Sequence, residues 1–177
     1  NASYFFFFLP VSFKPSVIRA IQQIGHEIGY HYEVMDQTQG DVYKALEIFI
    51  QNLDKFRNVA KIETICMHGS PMSKYDNKEL WNKFNYYDYG IIGEPYFDID
   101  YSKVLYLTDT GRCWNSEETN IRDKVDSSLC FRIKNTDQLI ELIRKRELPN
   151  QIMLNTHPQR WNDEFMIWGK ELVWQNV

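Results

Sequence analysis

The sequence predicts an α/β fold with a mainly parallel sheet and helices packed outside it. Short apolar runs rich in β-branched and aromatic residues alternate along the chain with segments of helical apolar spacing. This alternation is typical of βαβ units, in which a helix connects two parallel strands. A length of 177 residues fits a single domain over residues 1–177. About six or seven strands are expected, which leaves open both a doubly wound sheet and a small or incomplete barrel, since a complete eight-stranded barrel typically needs about 250 residues.

The predicted strands are short apolar runs bounded by turn-forming residues. They are Ser3–Phe8, Glu27–His31, Ile62–Met67, Gly90–Ile92, Val104–Thr108, Leu129–Ile133 and Gln151–Thr156. The sequence His68-Gly69-Ser70-Pro71, which follows the third run, predicts a turn.

Capping residues and apolar spacing predict the helices. Pro15 suits a first helical position, and Gly25 suits the position just after a helix that ends at Ile24. Asp41 is a good N-cap for a long amphipathic helix to about Asn58. Further helices are predicted from Asn77 to Phe84, from Asn135 or Thr136 to Lys145, and from Phe165 onward.

Composition restricts the class of partner. A net charge of -4 and a pI near 5.6 give no electrostatic reason to expect nucleic acid. No apolar run approaches the roughly 20 residues of a membrane span, so no membrane association is expected. Three cysteines without a CxxC pair favour a reducing compartment, and therefore a cytoplasmic location. The sequence gives no indication of oligomeric state.

Three of the four histidines fall at equivalent places. His31 ends its predicted strand, and His68 and His157 each follow one; Asp109 follows another. Because the carboxyl ends of parallel strands lie on one side of a sheet, we expect these four side chains to converge on one cleft. The alternative for each is structural: a histidine at a strand end is often a hydrogen-bonded structural residue, and Asp109 could organise a turn.

Such a cluster suits metal-assisted hydrolysis of an amide or ester. Neutral imidazole is a common ligand for divalent cations, and a catalytic site keeps one position open for water. A histidine outside the metal site could act as general acid, with Asp109 orienting it or serving as base. No nucleophilic serine motif, P-loop or GxGxxG is present.

Aromatic residues accompany these polar positions. Tyr30 precedes His31, Trp114 follows Arg112, and Trp161 follows His157. A cleft edged by aromatic faces and an arginine suits a carbohydrate or another small polar ligand, so Tyr30, Arg112, Trp114 and Trp161 are predicted to bind substrate. Packing in a hydrophobic core is the alternative for any of the aromatic residues.

Several of these segments resemble motifs of the polysaccharide deacetylases. Gly25-His26-Glu27-Ile28-Gly29-Tyr30-His31 resembles the family's second motif, in which Gly-His-Glu-Ile-Gly leads to a metal-binding histidine. Ile152-Met153-Leu154-Asn155-Thr156-His157 is similar to the last motif, an apolar strand that ends in the general-acid histidine. Met67 to Pro71 and Asp109 to Trp114 fall near the family's Arg/Pro and Asp/Trp motifs.

The resemblance implies a distorted (β/α) barrel of about seven strands, incomplete at the N-terminus of this sequence, and a divalent-metal-dependent N- or O-deacetylase of carbohydrates. The family's first motif, an aspartate pair, is absent and is expected only upstream of Asn1. Its second metal-binding histidine would fall at Met35, which is a poor zinc ligand. His68 stands where the family has arginine, and it would replace the missing ligand in a remodelled site.

Two hypotheses of function follow. In the first, the chain is a hydrolase that removes an acyl group from a carbohydrate: His31 and His68 bind a divalent metal, taken to be zinc, and His157 protonates the leaving group. Asp109 and Arg112 orient His157 or bind substrate. In the second, the site is lost and the chain is a catalytically inactive glycan- or ligand-binding domain. A purely scaffolding role is a third possibility.

Overall fold

A computed structural model of the chain describes residues 1–69, 73–110, 114, 125–127, 129, 131–158 and 164–174. The chain divides into two compact units, Asn1–Ile99 and Asp100–Val177. The single domain expected over residues 1–177 stays a prediction.

The first unit is built on a three-stranded parallel sheet with strand order β1-β2-β3. Its regular elements are β1 (Ser3–Phe6), α1 (Pro15–Gln23), β2 (Glu27–Tyr32), α2 (Val42–Arg57), β3 (Ile62–Met67) and the short α3 (Pro95–Asp98). The helices α1 and α2 each connect two adjacent parallel strands, as predicted from the alternation of strand-like and helical segments.

Local sequence signals explain α2. The side chain of Asp41 accepts hydrogen bonds from the backbone N–H groups of Tyr43 and Lys44, at 3.1 and 3.2 Å, and so caps the first turn. One face of the helix is buried, at Ala45, Phe49, Asn52, Leu53 and Phe56. This spacing of three to four residues is that of an amphipathic helix against a core. The predicted helix from Asp41 to about Asn58 is confirmed.

The core of the first unit uses many of the aromatic residues. Phe56 lies edge-on to Phe13, with ring centroids 4.8 Å apart, and 5.1 Å from the ring of Tyr30. Phe49 packs edge-on against Trp81 at 4.9 Å. Edge-to-face contacts of this kind stabilise a core beyond simple burial. Core packing therefore accounts for much of the aromatic content of this part of the sequence.

Gly29 of β2 makes room for the ring of Phe5 on β1. In the register of the two strands, Gly29 lies opposite Phe5. A Cβ atom at position 29 would overlap the ring of Phe5. Glycine in a strand often marks such a close approach, and here it provides the space that the phenylalanine ring occupies.

The far edge of β3 contacts an irregular segment rather than the predicted strand Gly90–Ile92. The backbone N–H of Ile92 donates to the Glu63 carbonyl at 2.7 Å, and Thr64 and Gly93 form one isolated parallel bridge. Ile91 is buried whereas Ile92 is exposed, so the segment follows a strand path for only a few residues. The prediction of a strand there is wrong.

The predicted helix from Asn77 to Phe84 is instead a 3-10 helix over Asn77–Asn82, and a second one covers Tyr86–Tyr89. Asp76, not Asn77, caps the first of these: its side chain accepts from the Lys78 N–H at 2.9 Å. The side chain of Asn77 is buried and forms hydrogen bonds with Val34 and His68 instead.

The second unit contains β4 (Leu105–Thr108), α4 (Thr136–Lys145), β5 (Ile152–Asn155) and α5 (Phe165–Trp174). The strands β4 and β5 are parallel, with Thr108 opposite Asn155 at their ends. The Asn135 side chain caps α4 by accepting from the Gln138 N–H at 2.9 Å. A small core packs β4 against α4, at Leu105, Leu107, Trp114, Ile133 and Leu139.

The predicted strand Leu129–Ile133 is absent from the described residues of that range; Ile133 instead forms one antiparallel bridge with Trp114. Across the described part of the chain, the strands form one three-stranded and one two-stranded sheet and do not close into a barrel. The α/β class with parallel strands is confirmed. No helix within the described ranges is both long and apolar enough to cross a membrane.

Candidate functional site

The carboxyl ends of β2 and β3 bring His31 and His68 together. The two ring centroids lie 5.2 Å apart, with the ring planes at 80°. His31 is part of β2, and the His68 N–H donates to the Tyr32 carbonyl at 2.9 Å just beyond β3. The strand polarity that predicted a shared location for these two residues is therefore confirmed for this pair.

The ring of His31 is held through one nitrogen. Its Nδ1 lies 2.9 Å from the Cys66 carbonyl oxygen, which can only accept, so Nδ1 carries the proton. In a neutral imidazole the other nitrogen, Nε2, then carries the lone pair. This is the tautomer that a histidine needs when it binds a metal through Nε2.

Phe7, which directly follows β1, forms an apolar side to this pair. Its ring centroid lies 4.5 Å from the centroids of both His31 and His68. The sequence analysis did not single out Phe7, because it placed this residue inside a strand predicted to continue to Phe8, whereas β1 ends at Phe6. Its ring shields one side of the two imidazoles from water.

Glu33 is a second residue that the sequence analysis missed. Its Oε1 lies 3.3 Å from Nδ1 of His68, with side chains 30% and 32% exposed respectively. The distance is that of an ion pair, but the geometry is not that of a hydrogen bond, and this buried nitrogen has no hydrogen-bond partner among the described residues. Glu33 could have been identified as a neighbour of this site, because residues i and i+2 of a strand share a face and Glu33 is two residues after His31.

Asn77 joins the segments that follow β2 and β3. Its Oδ1 accepts from the N–H groups of Val34 and Met35, at 2.9 and 3.1 Å, and its Nδ2 donates to the His68 carbonyl at 3.0 Å. Met35 is itself buried in the core, which agrees with its being a packing residue where the deacetylase motif has a metal ligand. Asn77 thus fixes the backbone that carries His68.

Glu94 is a fully buried carboxyl group beside the end of β3. Its Oε1 accepts from the Met67 N–H at 3.0 Å, and its Oε2 accepts from the Tyr96 N–H at 2.6 Å. Burial raises the pKa of Glu94 to about 7, because the loss of hydration disfavours the carboxylate more than these N–H donors favour it.

This pKa predicts that the folded protein is more stable at mildly acidic pH. The ordinary pKa of the group is 4.5 and the folded one is about 7, so the folded state binds the proton more tightly. The contribution of Glu94 to stability is therefore greatest below pH 4.5 and falls by about 3 kcal/mol as the pH rises through 7. Urea unfolding at several pH values should show this fall in the wild type and a weaker one in Glu94→Gln. Equal pH dependence in the two proteins would contradict it.

In the second unit, Asp109 and His157 form a hydrogen-bonded pair just after β4 and β5. The Oδ1 of Asp109 lies 2.5 Å from Nδ1 of His157, and Oδ2 accepts from the His157 backbone N–H at 2.9 Å. The Asp109 N–H also donates to the Asn155 carbonyl, at 3.3 Å. The carboxyl group is buried and the imidazole is half-buried. The two residues are thus neighbours, as strand polarity predicts, and both oxygens of Asp109 hold His157.

The aromatic residues predicted to bind substrate lie in cores. Tyr30 is 1% exposed, and its hydroxyl accepts from Nδ2 of Asn52 at 3.2 Å. Trp114 is 6% exposed, and its Nε1 donates to Oγ1 of Thr136 at 3.2 Å. The prediction that these two rings contact a substrate is therefore corrected: they are core residues. Arg112 and Trp161 lie outside the described residues.

The residues of the first unit fit a divalent metal in part. Two neighbouring imidazoles are ligands of the right type for zinc. Catalytic zinc sites usually have three protein ligands, however, and no group of three His, Cys, Asp or Glu side chains suited to a metal occurs in the described part of the chain.

Comparison of the chain with protein-family models, curated proteins and solved structures found no match. The evidence for the candidate site is therefore its geometry.

Proposed function

We propose that the chain is a metal-dependent hydrolase that removes an acyl group, such as acetyl, from a carbohydrate. The observation that carries this proposal is the Asp109–His157 pair, with 2.5 Å between Oδ1 and Nδ1. A buried carboxylate that holds Nδ1–H of an imidazole fixes its orientation and tautomer and stabilises its protonated form. Nε2 is then the nitrogen that exchanges a proton with a reacting group.

Each residue has a stated role in this proposal. His157 protonates the leaving amine or alkoxide through Nε2, and Asp109 holds the ring in place during that transfer. His31 and His68 are the metal ligands, and Phe7 limits the access of water to them. A divalent metal held by these two imidazoles would lower the pKa of a bound water molecule.

The proposal extends to the fold and the location. The resemblance of the sequence motifs to those of the deacetylases supports a distorted barrel of that type with about seven strands, to which the two parallel sheets of the described residues would contribute. The three cysteines without a CxxC pair support a cytoplasmic location.

Replacing His31 with Ala should remove most of the bound zinc. Catalytic zinc is held by a few short bonds, so the loss of one of two imidazole ligands weakens binding strongly. Elemental analysis of protein purified with zinc, and calorimetric titration of metal-free protein, would measure the change. His26→Ala is a matched control, because His26 precedes β2 at the opposite end of the strand and its Nδ1 accepts from the Ala2 N–H. Equal zinc contents in wild type and His31→Ala would refute the metal assignment.

A second candidate, a catalytically inactive carbohydrate-binding domain, is favoured by one observation. Met35 is buried in the core where the deacetylase motif places a second metal-binding histidine. Calorimetry distinguishes the two candidates. Sugar binding that a chelator leaves unchanged, with no turnover of an acetylated chromogenic substrate, favours the binding domain; turnover that the chelator abolishes favours the hydrolase.

A further inference from the structure

We propose that Glu33 is a positioning residue for His68: its carboxylate accepts Nδ1–H of the imidazole and thereby leaves Nε2 as the nitrogen that binds the metal. The inference rests on the proposed function in so far as it names a metal. The arrangement itself is a property of the metal-free chain, so it can be tested separately.

The first observation is the position of the two groups. Glu33 follows β2 directly and His68 follows β3 directly, and the hydrogen bond from the His68 N–H to the Tyr32 carbonyl continues the pairing of these strands beyond their ends. Oε1 of Glu33 consequently lies 3.3 Å from Nδ1 of His68. A charge-assisted hydrogen bond between the two groups would have a length of about 2.7–2.9 Å.

The second observation concerns the surroundings of Nδ1 of His68. It is buried and has no hydrogen-bond partner within the described ranges. The described groups near the ring include the apolar ring of Phe7, the ring of His31 and the Glu33 carboxylate. Of these three groups the carboxylate is the strong acceptor, and a buried polar nitrogen is stabilised by bonding to it.

The third observation is that the backbone of His68 is already fixed on both sides. Its N–H donates to Tyr32 and its carbonyl accepts from Asn77. The orientation of the imidazole ring is not fixed by these backbone bonds. A carboxylate that accepts from Nδ1 would fix it. Together with the Cys66 carbonyl on Nδ1 of His31, this gives both imidazoles the same arrangement, in which Nδ1 is anchored and Nε2 carries the lone pair.

The decisive experiment is nitrogen NMR of the histidine rings in the metal-free protein at about pH 8, where a histidine of ordinary pKa is neutral. We expect His68 to carry its proton on Nδ1 in the wild type and to move to the Nε2–H form in Glu33→Ala. Glu33→Gln, whose amide oxygen still accepts, should retain the Nδ1–H form. Glu63→Ala, which removes an exposed carboxylate of β3 that pairs with Lys61, should change nothing. The same tautomer in wild type and Glu33→Ala would overturn the proposal.

Zinc titration of the same proteins gives a second readout. Loss of a carboxylate that anchors a metal-binding histidine typically costs about 10- to 100-fold in metal affinity, so we expect that loss in Glu33→Ala and a smaller one in Glu33→Gln. If Glu33→Gln loses as much as Glu33→Ala while the tautomer is unchanged, Glu33 is a direct ligand and the positioning role is wrong. If the wild type binds no zinc, the proposed function fails, while the tautomer result still decides the role of Glu33.

Discussion

Replacing Asp109 with Asn is expected to lower kcat/KM for an acetylated substrate by about 10²- to 10⁴-fold, the range that general acid–base catalysis contributes. Both oxygens of Asp109 accept hydrogen bonds from His157, one from the ring and one from the backbone N–H. Asparagine has one oxygen, and if it bonds to the backbone N–H its amide donates toward Nδ1. The imidazole is then held in the opposite tautomer, with the proton on Nε2 and no negative charge to stabilise the protonated ring.

The measurement is steady-state kinetics with an acetylated chromogenic substrate in the presence of zinc. Asp137→Asn is the matched control. It replaces the same side chain in the same way, but in the exposed first turn of α4. Zinc content should be equal in all three proteins, since Asp109 is not assigned to the metal. Wild-type kcat/KM in a folded Asp109→Asn protein would exclude a role for this pair in catalysis.

Replacing Asn77 with Ala is expected to lower the free energy of unfolding by about 2–6 kcal/mol. The substitution leaves the N–H groups of Val34 and Met35 without their acceptor, in a region where both residues are buried. Each buried donor that loses its partner costs about 1–3 kcal/mol. Chemical unfolding measures the change, and zinc binding should weaken too because the His68 carbonyl loses its anchor.

Asn85→Ala provides the comparison for this second result. The Asn85 side chain accepts from the Tyr87 N–H at 3.1 Å, but in an exposed position at the start of a 3-10 helix. Water can replace that bond, so a loss of about 1 kcal/mol is expected. Equal losses at positions 77 and 85 would show that the buried network does not stabilise the segment that carries His68.

Local signals in the sequence predicted β1 to β5 and the helices α1, α2, α4 and α5, but not the short α3 or the 3-10 helix over Tyr86–Tyr89. Asp41 capping α2, Pro15 beginning α1 and Asn135 capping α4 act within one helical turn, and all three are present in the structure. Contacts across the sheet could not be predicted in the same way. Gly90–Ile92 has a strand-like composition, but its pairing depends on how much of the β3 edge it can reach, which composition does not encode.

In the candidate site, too, local signals were predictive and long-range contacts were not. Strand polarity was enough to place His31 beside His68 and Asp109 beside His157. Strand alternation, used more strictly, would have improved the prediction: it places Tyr30 on the face opposite His31, and it places Glu33 on the same face as His31. Asn77 and Glu94 could not have been predicted, because each bonds to segments distant from it in sequence.

The missing side chain of Gly29 has a consequence for the packing beside the histidines. The Phe5 ring occupies that space, and Phe7, two residues further along the chain, contacts both imidazoles. Even a methyl group at position 29 would have to displace the Phe5 ring. The absence of a side chain two residues before His31 thus sets how the phenylalanines of this segment pack over β2.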